Sequence, residues 1–398
     1  MLYLVAGGVL AYFILALKKP VPAAGLLLGL APAYLVRLRI FGIPTTLLEL
    51  LLLAFILAVV LTSSKGRYSR LFRKLRPVSL PLVLFVLAAI ISTALSPEKS
   101  KAVGELKAFF VEPILLFGAF LMVLENKEQV RQLLKWLFGA AIAVSVFGIA
   151  QYFTGFLLPI RFWGYGLEPR RISSFFDYPN ALALYLAPLA ALYLHLLLEK
   201  IFRPGAWFGW SLMVVALGLT FSRGGWLGLA GAAFVVLALK FSFKRTVLVA
   251  GCLLALLLIS PLTRVRIFSA FQDPSSLAHQ ELLSAGWQEV KSSPILGNGL
   301  YGFRTTLAQA NFTGEILNYP HDIFLNFWLE TGLLGLLSFV AVSLMAVFLA
   351  IRKPTVFRWA AVAYLIALWL HGLVDVPYFK NDLSVLFWFV IALSLSDD

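Results

Sequence analysis

The sequence predicts an all-α polytopic membrane protein with about 12 to 13 transmembrane helices and one large polar loop late in the chain. Three observations lead there. Of its residues 61% are hydrophobic and only 13% charged, against roughly 25% charged in soluble domains, and the mean hydropathy is +0.91. Apolar runs of about 15 to 20 residues, such as 46–62 and 207–221, lack the alternation of barrel strands. One hydrophilic stretch, 261–325, interrupts a pattern in which the other connections are short.

Taken in order, apolar runs broken by polar residues place spans near 2–17, 22–36, 44–62, 80–95, 107–124, 134–153, 179–197, 207–221, 224–240, 246–260, 326–351, 358–373 and 383–396. The first has no basic residue before it and no small-residue cleavage site, so it is expected to be a retained span rather than a signal peptide. The net charge of +14 would suggest nucleic acid in a soluble protein, but its placement assigns it to topology and excludes that partner. Lys65, Arg67, Arg70, Arg73, Lys74 and Arg76, uninterrupted by any acid, mark a cytoplasmic connection by the positive-inside rule. Alternating from there puts more than half of the 33 Lys and Arg on the cytoplasmic side. The connections 96–106, 154–178, 261–325 and 374–382 then lie outside and the C-terminus inside, with the N-terminus outside if thirteen spans hold. The lone Cys252 rules out an intrachain disulfide and a cysteine metal site. The chain is expected to be a single domain, 1–398, and a monomer.

The polar stretch is expected to be folded. Leu282, Leu283, Trp287 and Val290 recur at helical spacing, and Pro294, Gly297 and Gly299 break the helix. Asp273 and Pro274 form a turn before it, with Ser276 as its cap.

Several side chains at span ends point to chemistry at the bilayer surface. Ser222, Arg223, Gly224 and Gly225 make a tight connection that puts a guanidinium beside hydrocarbon, a costly position that favours an anionic partner. A guanidinium donates two hydrogen bonds to one oxyanion and keeps its charge when partly desolvated. Arg161, Arg170 and Arg171 precede Pro179 and Asn180 on the same side, and Arg264 and Arg266 follow the span ending at 260. Singly, each arginine reads as a solvated loop charge or a lipid anchor. Together they suit a diphosphate whose lipid tail lies in the membrane. His321, with Tyr319 and Asp322 beside it, stands where the loop re-enters the membrane, placed to act as a base or to hold a helix end. Of the other histidines, His195 lies at a cytoplasmic helix end, His279 in the loop, and His371 near Asp375. The intramembrane acids Glu49, Glu112 and Glu330 each have an ion pair as the simplest role, with Glu112 at a kink made by Pro113.

These motifs resemble the O-antigen ligase and polymerase superfamily of bacterial membrane glycosyltransferases. The resemblance rests on Ser222-Arg223-Gly224, on the upstream arginines with Pro179-Asn180, and on Trp287 leading to Pro294 and Leu296 to Gly299. It rests most on Pro320, His321, Asp322, Leu325, Glu330, Gly332 and Gly335. It implies a GT-C-like architecture in the bacterial cytoplasmic membrane. It also implies inverting transfer of a glycan from undecaprenyl diphosphate to an acceptor hydroxyl on the outer face, without metal or other cofactor. In that picture His321 is the base and Arg223 its electrostatic partner. Arg170 or Arg171, with Arg264 or Arg266 or else His279, bind the diphosphate, and Asp322, Glu330, Tyr319, Asn180 and Glu112 support them. Two departures are visible: Asp322 stands where the family usually has Asn, and His279-Gln280 where an arginine often precedes the loop tryptophan. A ligase, whose acceptor is a lipid A-core or another surface glycan, and a polymerase that extends a chain fit equally. A shape-and-division peptidoglycan polymerase lacks the His321 and Ser-Arg-Gly features, and a lipid-linked sugar flippase would spread its arginines over both sides.

Overall fold

A computed structural model describes residues 2–40, 42–165, 168–259, 261–268, 274–309 and 318–396. The protein is 79% helical; among the described residues the only sheet is a hairpin, β1 (Arg37–Ile40) against β2 (Ile43–Thr46). The helices run α1 (Leu2–Lys18), α2 (Pro20–Gly29), α3 (Leu47–Thr62), α4 (Lys65–Leu75), α5 (Ser79–Leu95), α6 (Lys99–Glu105), α7 (Glu112–Val123), α8 (Lys127–Thr154) and α9 (Pro179–Leu198). Then come α10 (Ala206–Leu219), α11 (Arg223–Lys240), α12 (Phe243–Ile259), α13 (Pro261–Phe268), α14 (Pro274–Ser292), α15 (Gly302–Gln309), α16 (Ile323–Arg352), α17 (Val356–Gly372) and α18 (Asn381–Leu395). Among the described residues, six helical stretches, α8, α9, α11 and α16 among them, are long and apolar enough to cross a membrane, and shorter apolar helices such as α3, α10, α17 and α18 accompany them. The chain is a polytopic helical membrane protein.

Two expected elements differ. The 22–36 span is two pieces, α2 followed by a 3₁₀ turn Ala31–Leu35, because Pro32 has no N–H to continue the α ladder. The basic cluster at 65–76 is not a loop but mostly helix α4, which lays Tyr68, Leu71 and Leu75 on the core, leaves Lys65 and Arg73 exposed and buries Lys74.

The connections sort to two ends of the bundle. At one, Arg70 and Arg67 reach Glu125 at 2.8 and 3.3 Å, Lys74 Nζ donates to the Leu124 carbonyl at 3.0 Å, and Lys240 pairs with Glu199 at 2.7 Å. At the other, the 93–107, 155–178, 220–223 and 373–380 connections meet the folded part of the 261–325 stretch. Ser96 Oγ donates to the Leu300 carbonyl at 2.6 Å, and Tyr319 Oη to that of Phe379 at 3.4 Å. This is the grouping that alternation from the basic cluster anticipates.

The expected loop helix is α14, ending at Ser292 before Pro294. Its Leu282 and Val290 are buried with Phe303, Leu307, Leu325 and Leu329, a small core between the cap and α16. Ser276 sits inside α14 rather than at its cap, and Asp273 lies outside the described residues. The Pro294–Gly299 turn lies directly on α16. The Asn298 N–H donates to the Leu329 carbonyl at 2.7 Å and the Leu333 N–H to that of Ile295 at 3.0 Å. α16 is broken there at Gly332 (φ 68°, ψ −179°), where a Cβ would stand 2.6 Å from the Ile295 carbonyl oxygen, so only glycine fits.

The α11–α17 contact sets the position of Arg223. A Cβ on Gly228 would lie 2.7 Å from the Ala367 carbonyl oxygen, and one on Gly224 would meet the His371 ring at 2.6 Å, the close approach that small residues permit between membrane helices. Gly228→Ala is expected to destabilise the protein by about 1–3 kcal/mol through overpacking, read as a lower melting temperature in detergent. An unchanged melting curve would mean the two helices can slide apart at no cost.

Candidate functional site

The site forms where the ends of α9, α10, α11, α16 and α17 meet the cap, around a cavity of about 470 Å³. Each wall has a local cause. α10 ends at Leu219 and the chain turns through Phe221, at φ 49°, to Ser222, whose hydroxyl caps α11 by accepting the Gly225 N–H at 3.4 Å. Arg223 is therefore the first residue of α11 and faces the cavity. Its Nη2 donates to Ser276 Oγ of α14 at 2.6 Å and its Nη1 approaches the Arg266 carbonyl at 3.5 Å. Arg266, also in the cavity wall, donates from Nε to the Phe221 carbonyl at 3.2 Å. Arg171 holds the same turn, giving Nε to the Thr220 carbonyl and Nη2 to Asn180 Oδ1, both at 2.9 Å. Asn180 lines the cavity; Arg171 stands behind it.

His321 occupies the opposite wall with a left-handed backbone, φ 57°. Its ring stacks on His279 with centroids 3.9 Å apart and planes 13° from parallel. Nδ1 stands 3.4 Å from Asp375 Oδ1, within ion-pair range but not aligned as a hydrogen bond. Nε2 is buried and has no hydrogen-bond partner among the described residues. Burial alone would raise the Asp375 carboxyl, but the His321 and His371 imidazoles and the Val376 N–H, 2.8 Å away, outweigh it and hold it well below the usual carboxylate range.

Asp375 is held by a chain of contacts that begins in a distant helix. Pro113 cannot donate to the carbonyl four residues back, so the helix widens to a π turn over Leu106–Val111, and the Phe109 carbonyl is left to accept Tyr378 Oη at 2.7 Å. Trp388 Nε1 donates to the same hydroxyl at 3.0 Å. Tyr378 and Phe379 are buried among Phe327, Phe339 and Phe387, which pins the 373–380 connection.

The structure thus brings Arg223, Arg266, His279, His321 and Asn180 together, with Arg171 in support. Other expected residues lie elsewhere. Arg170 donates to the Tyr152 carbonyl at 2.6 Å and covers Trp163 at 4.8 Å, and Arg264 is exposed on α13. Asp322 caps α16, accepting the Leu325 N–H at 2.8 Å; burial raises its carboxyl above the ordinary value, and the backbone hydrogen bonds partly offset this. Tyr319 packs on Phe379 at 5.7 Å. Glu330 is fully buried under the cap and accepts the Tyr301 N–H, with Gly302 and Phe303 amides also near, so it holds the start of α15 rather than an arginine. Glu112 lies beside Glu49 and Lys107, and Glu49 pairs with that lysine. The residues that span-end reasoning passes over are Asp375 and His371, both cavity-lining, and Ser276 as the partner of Arg223.

The arrangement can bind an anion and move a proton. Two guanidinium groups face one wall of a half-enclosed cavity, and an imidazole backed by a carboxylate faces the other.

Residues 208–340 match the family model described as O-Antigen ligase, an interval that starts in α10, ends within α16 and contains Arg223, Arg266, His279 and His321. Asn180, Arg171, His371 and Asp375 lie outside the matched interval. The match supports the O-antigen ligase superfamily that the motifs resemble. No curated protein matches the chain.

Proposed function

We propose that this membrane protein of the O-antigen ligase and polymerase superfamily transfers a glycan from a polyprenyl diphosphate, undecaprenyl diphosphate in bacteria, to an acceptor hydroxyl. The reaction takes place on the extracytoplasmic face of the cytoplasmic membrane. The observation that carries the reading is the shared cavity: Arg223 and Arg266 on one side, the His321–Asp375 pair on the other.

The chemistry follows from those positions. With Nδ1 turned to Asp375, the basic lone pair of His321 is at Nε2. It takes the proton from the acceptor hydroxyl as that oxygen attacks the anomeric carbon and the bond to the diphosphate breaks. Attack opposite the leaving group inverts the anomeric centre. Negative charge grows on the departing diphosphate, where Arg223 and Arg266 stabilise it as preorganised donors. Asp375 stabilises the imidazolium until its proton passes to water. A donor tail in the bilayer and a polar head at the bundle end suit a cavity beneath a folded cap.

Asp375→Asn keeps size and hydrogen-bonding capacity but removes the charge that orients His321. It is expected to lower kcat by about 10- to 100-fold with KM little changed, the effect of a supporting partner. Activity within threefold of the wild type would detach Asp375 from the base.

The function itself is tested by reconstituting the purified protein in liposomes with an undecaprenyl-diphosphate oligosaccharide and several glycan acceptors. A single transfer product supports a ligase, and a ladder supports a polymerase with the same chemistry. Loss of donor without any glycan product would refute transfer altogether.

A further inference from the structure

At the bundle end away from His321, a second cavity of about 630 Å³ opens between the starts of α8 and α17 and the end of α9. Asn180 lines the first cavity and His195 the second, on one helix, so the two lie roughly 22 Å apart at 1.5 Å per residue. The glycan-transfer reading uses none of these groups.

His195 is only 9% exposed, lines this cavity, and its Nε2 is buried with no hydrogen-bond partner among the described residues. Nε of Arg131, another lining residue, is in the same condition. Burying polar atoms without partners costs free energy that a bound ligand would recover. Lys127 and Lys200 add positive charge to the wall. The two acids in the wall are each paired with cations: Glu199 with Lys240 at 2.7 Å, and Glu128 with Arg131 at 3.8 Å and Lys135 at 3.7 Å. Lys127 is the first residue of α8 and Val356 the first of α17, so the positive ends of two helix dipoles converge on the same space.

We propose that this cavity is a binding site for a phosphate-bearing anion, independent of the glycan-transfer site. Two sources share that chemistry: the headgroup of an anionic phospholipid in the leaflet at this end, and free inorganic phosphate or pyrophosphate.

Hydrogen exchange read by mass spectrometry on the purified full-length protein separates them. In detergent, inorganic phosphate and pyrophosphate are titrated; in nanodiscs, phosphatidylcholine alone is compared with a mixture containing phosphatidylglycerol. Saturable protection of peptides covering 127–131 and 355–359 is expected. It identifies a free anion if phosphate or pyrophosphate produces it, and a lipid if only phosphatidylglycerol does. Binding at the other cavity would show instead in peptides around 220–226, so the two sites do not confuse the reading. His195→Gln with Arg131→Gln should weaken the protecting ligand about tenfold or more, the loss of charged hydrogen bonds. Lys200→Gln, on the exposed rim, provides the same test by a smaller loss should the buried pair fail to fold. Absence of local protection with every probe, or protection that all these substitutions leave unchanged, would overturn the proposal.

Discussion

Replacing His321 with alanine should slow glycan transfer by roughly 100- to 10,000-fold, the contribution of a positioned general base, while donor binding changes little. The ring lines the cavity with Nδ1 3.4 Å from Asp375 Oδ1, and its Nε2, without a hydrogen-bond partner among the described residues, is left to take a proton. Because residue 321 has a positive φ of 57°, alanine adds a backbone effect of its own, so His321→Asn is the better matched control. Asparagine tolerates the left-handed region and cannot act as a base. Both variants should lose kcat to a similar degree, with the asparagine protein melting closer to the wild type. If either kept more than about a tenth of the wild-type rate, proton removal by His321 would be abandoned.

The second large effect belongs to Arg223. Arg223→Lys retains the charge yet should cost about 100- to 1,000-fold in kcat, the loss associated with one well-placed donor to a developing anion. The guanidinium is braced by Ser276 and presents its N–H groups in a fixed plane, which an ammonium on a flexible stem cannot reproduce. The comparison is kcat against KM for one defined donor. A rise in KM with kcat intact would move Arg223 from the transition state to ground-state binding, and full activity would remove it from the site.

What could be seen beforehand was local in origin. Arg223, Arg266, Asn180 and His321 could be singled out because each is a polar side chain near the end of an apolar run, His279 only because the resemblance expects an arginine there, and the spans themselves follow from the apolar pattern. Asp375 could not, since a carboxylate after the penultimate span carries no local sign of the imidazole it meets across the fold. Arg170 and Arg171 are neighbours in an extended segment that turns them to different partners, which only the tertiary structure decides. Glu330 and Asp322 stand in the stretch that most resembles the family, yet they anchor backbone beneath and beside His321. Their motif spacing reports the support of the site as much as its chemistry. Pro32 and Pro113 had opposite fates: one divided an expected span, while the other loosened a helix and freed a carbonyl that Tyr378 now occupies.

The break at Gly332 constrains how substrate can enter. The Pro294–Gly299 turn is spliced into the hydrogen-bond ladder of α16, and Glu330 grips the start of α15. Together these bond the 295–301 part of the cap to the membrane helix. Lifting that part like a hinged lid would break these backbone bonds. If the proposed lipid-borne donor is the substrate, it is expected to reach Arg223 sideways, from within the bilayer plane, and the amide of Leu333 should be among the slowest in the protein to exchange with solvent.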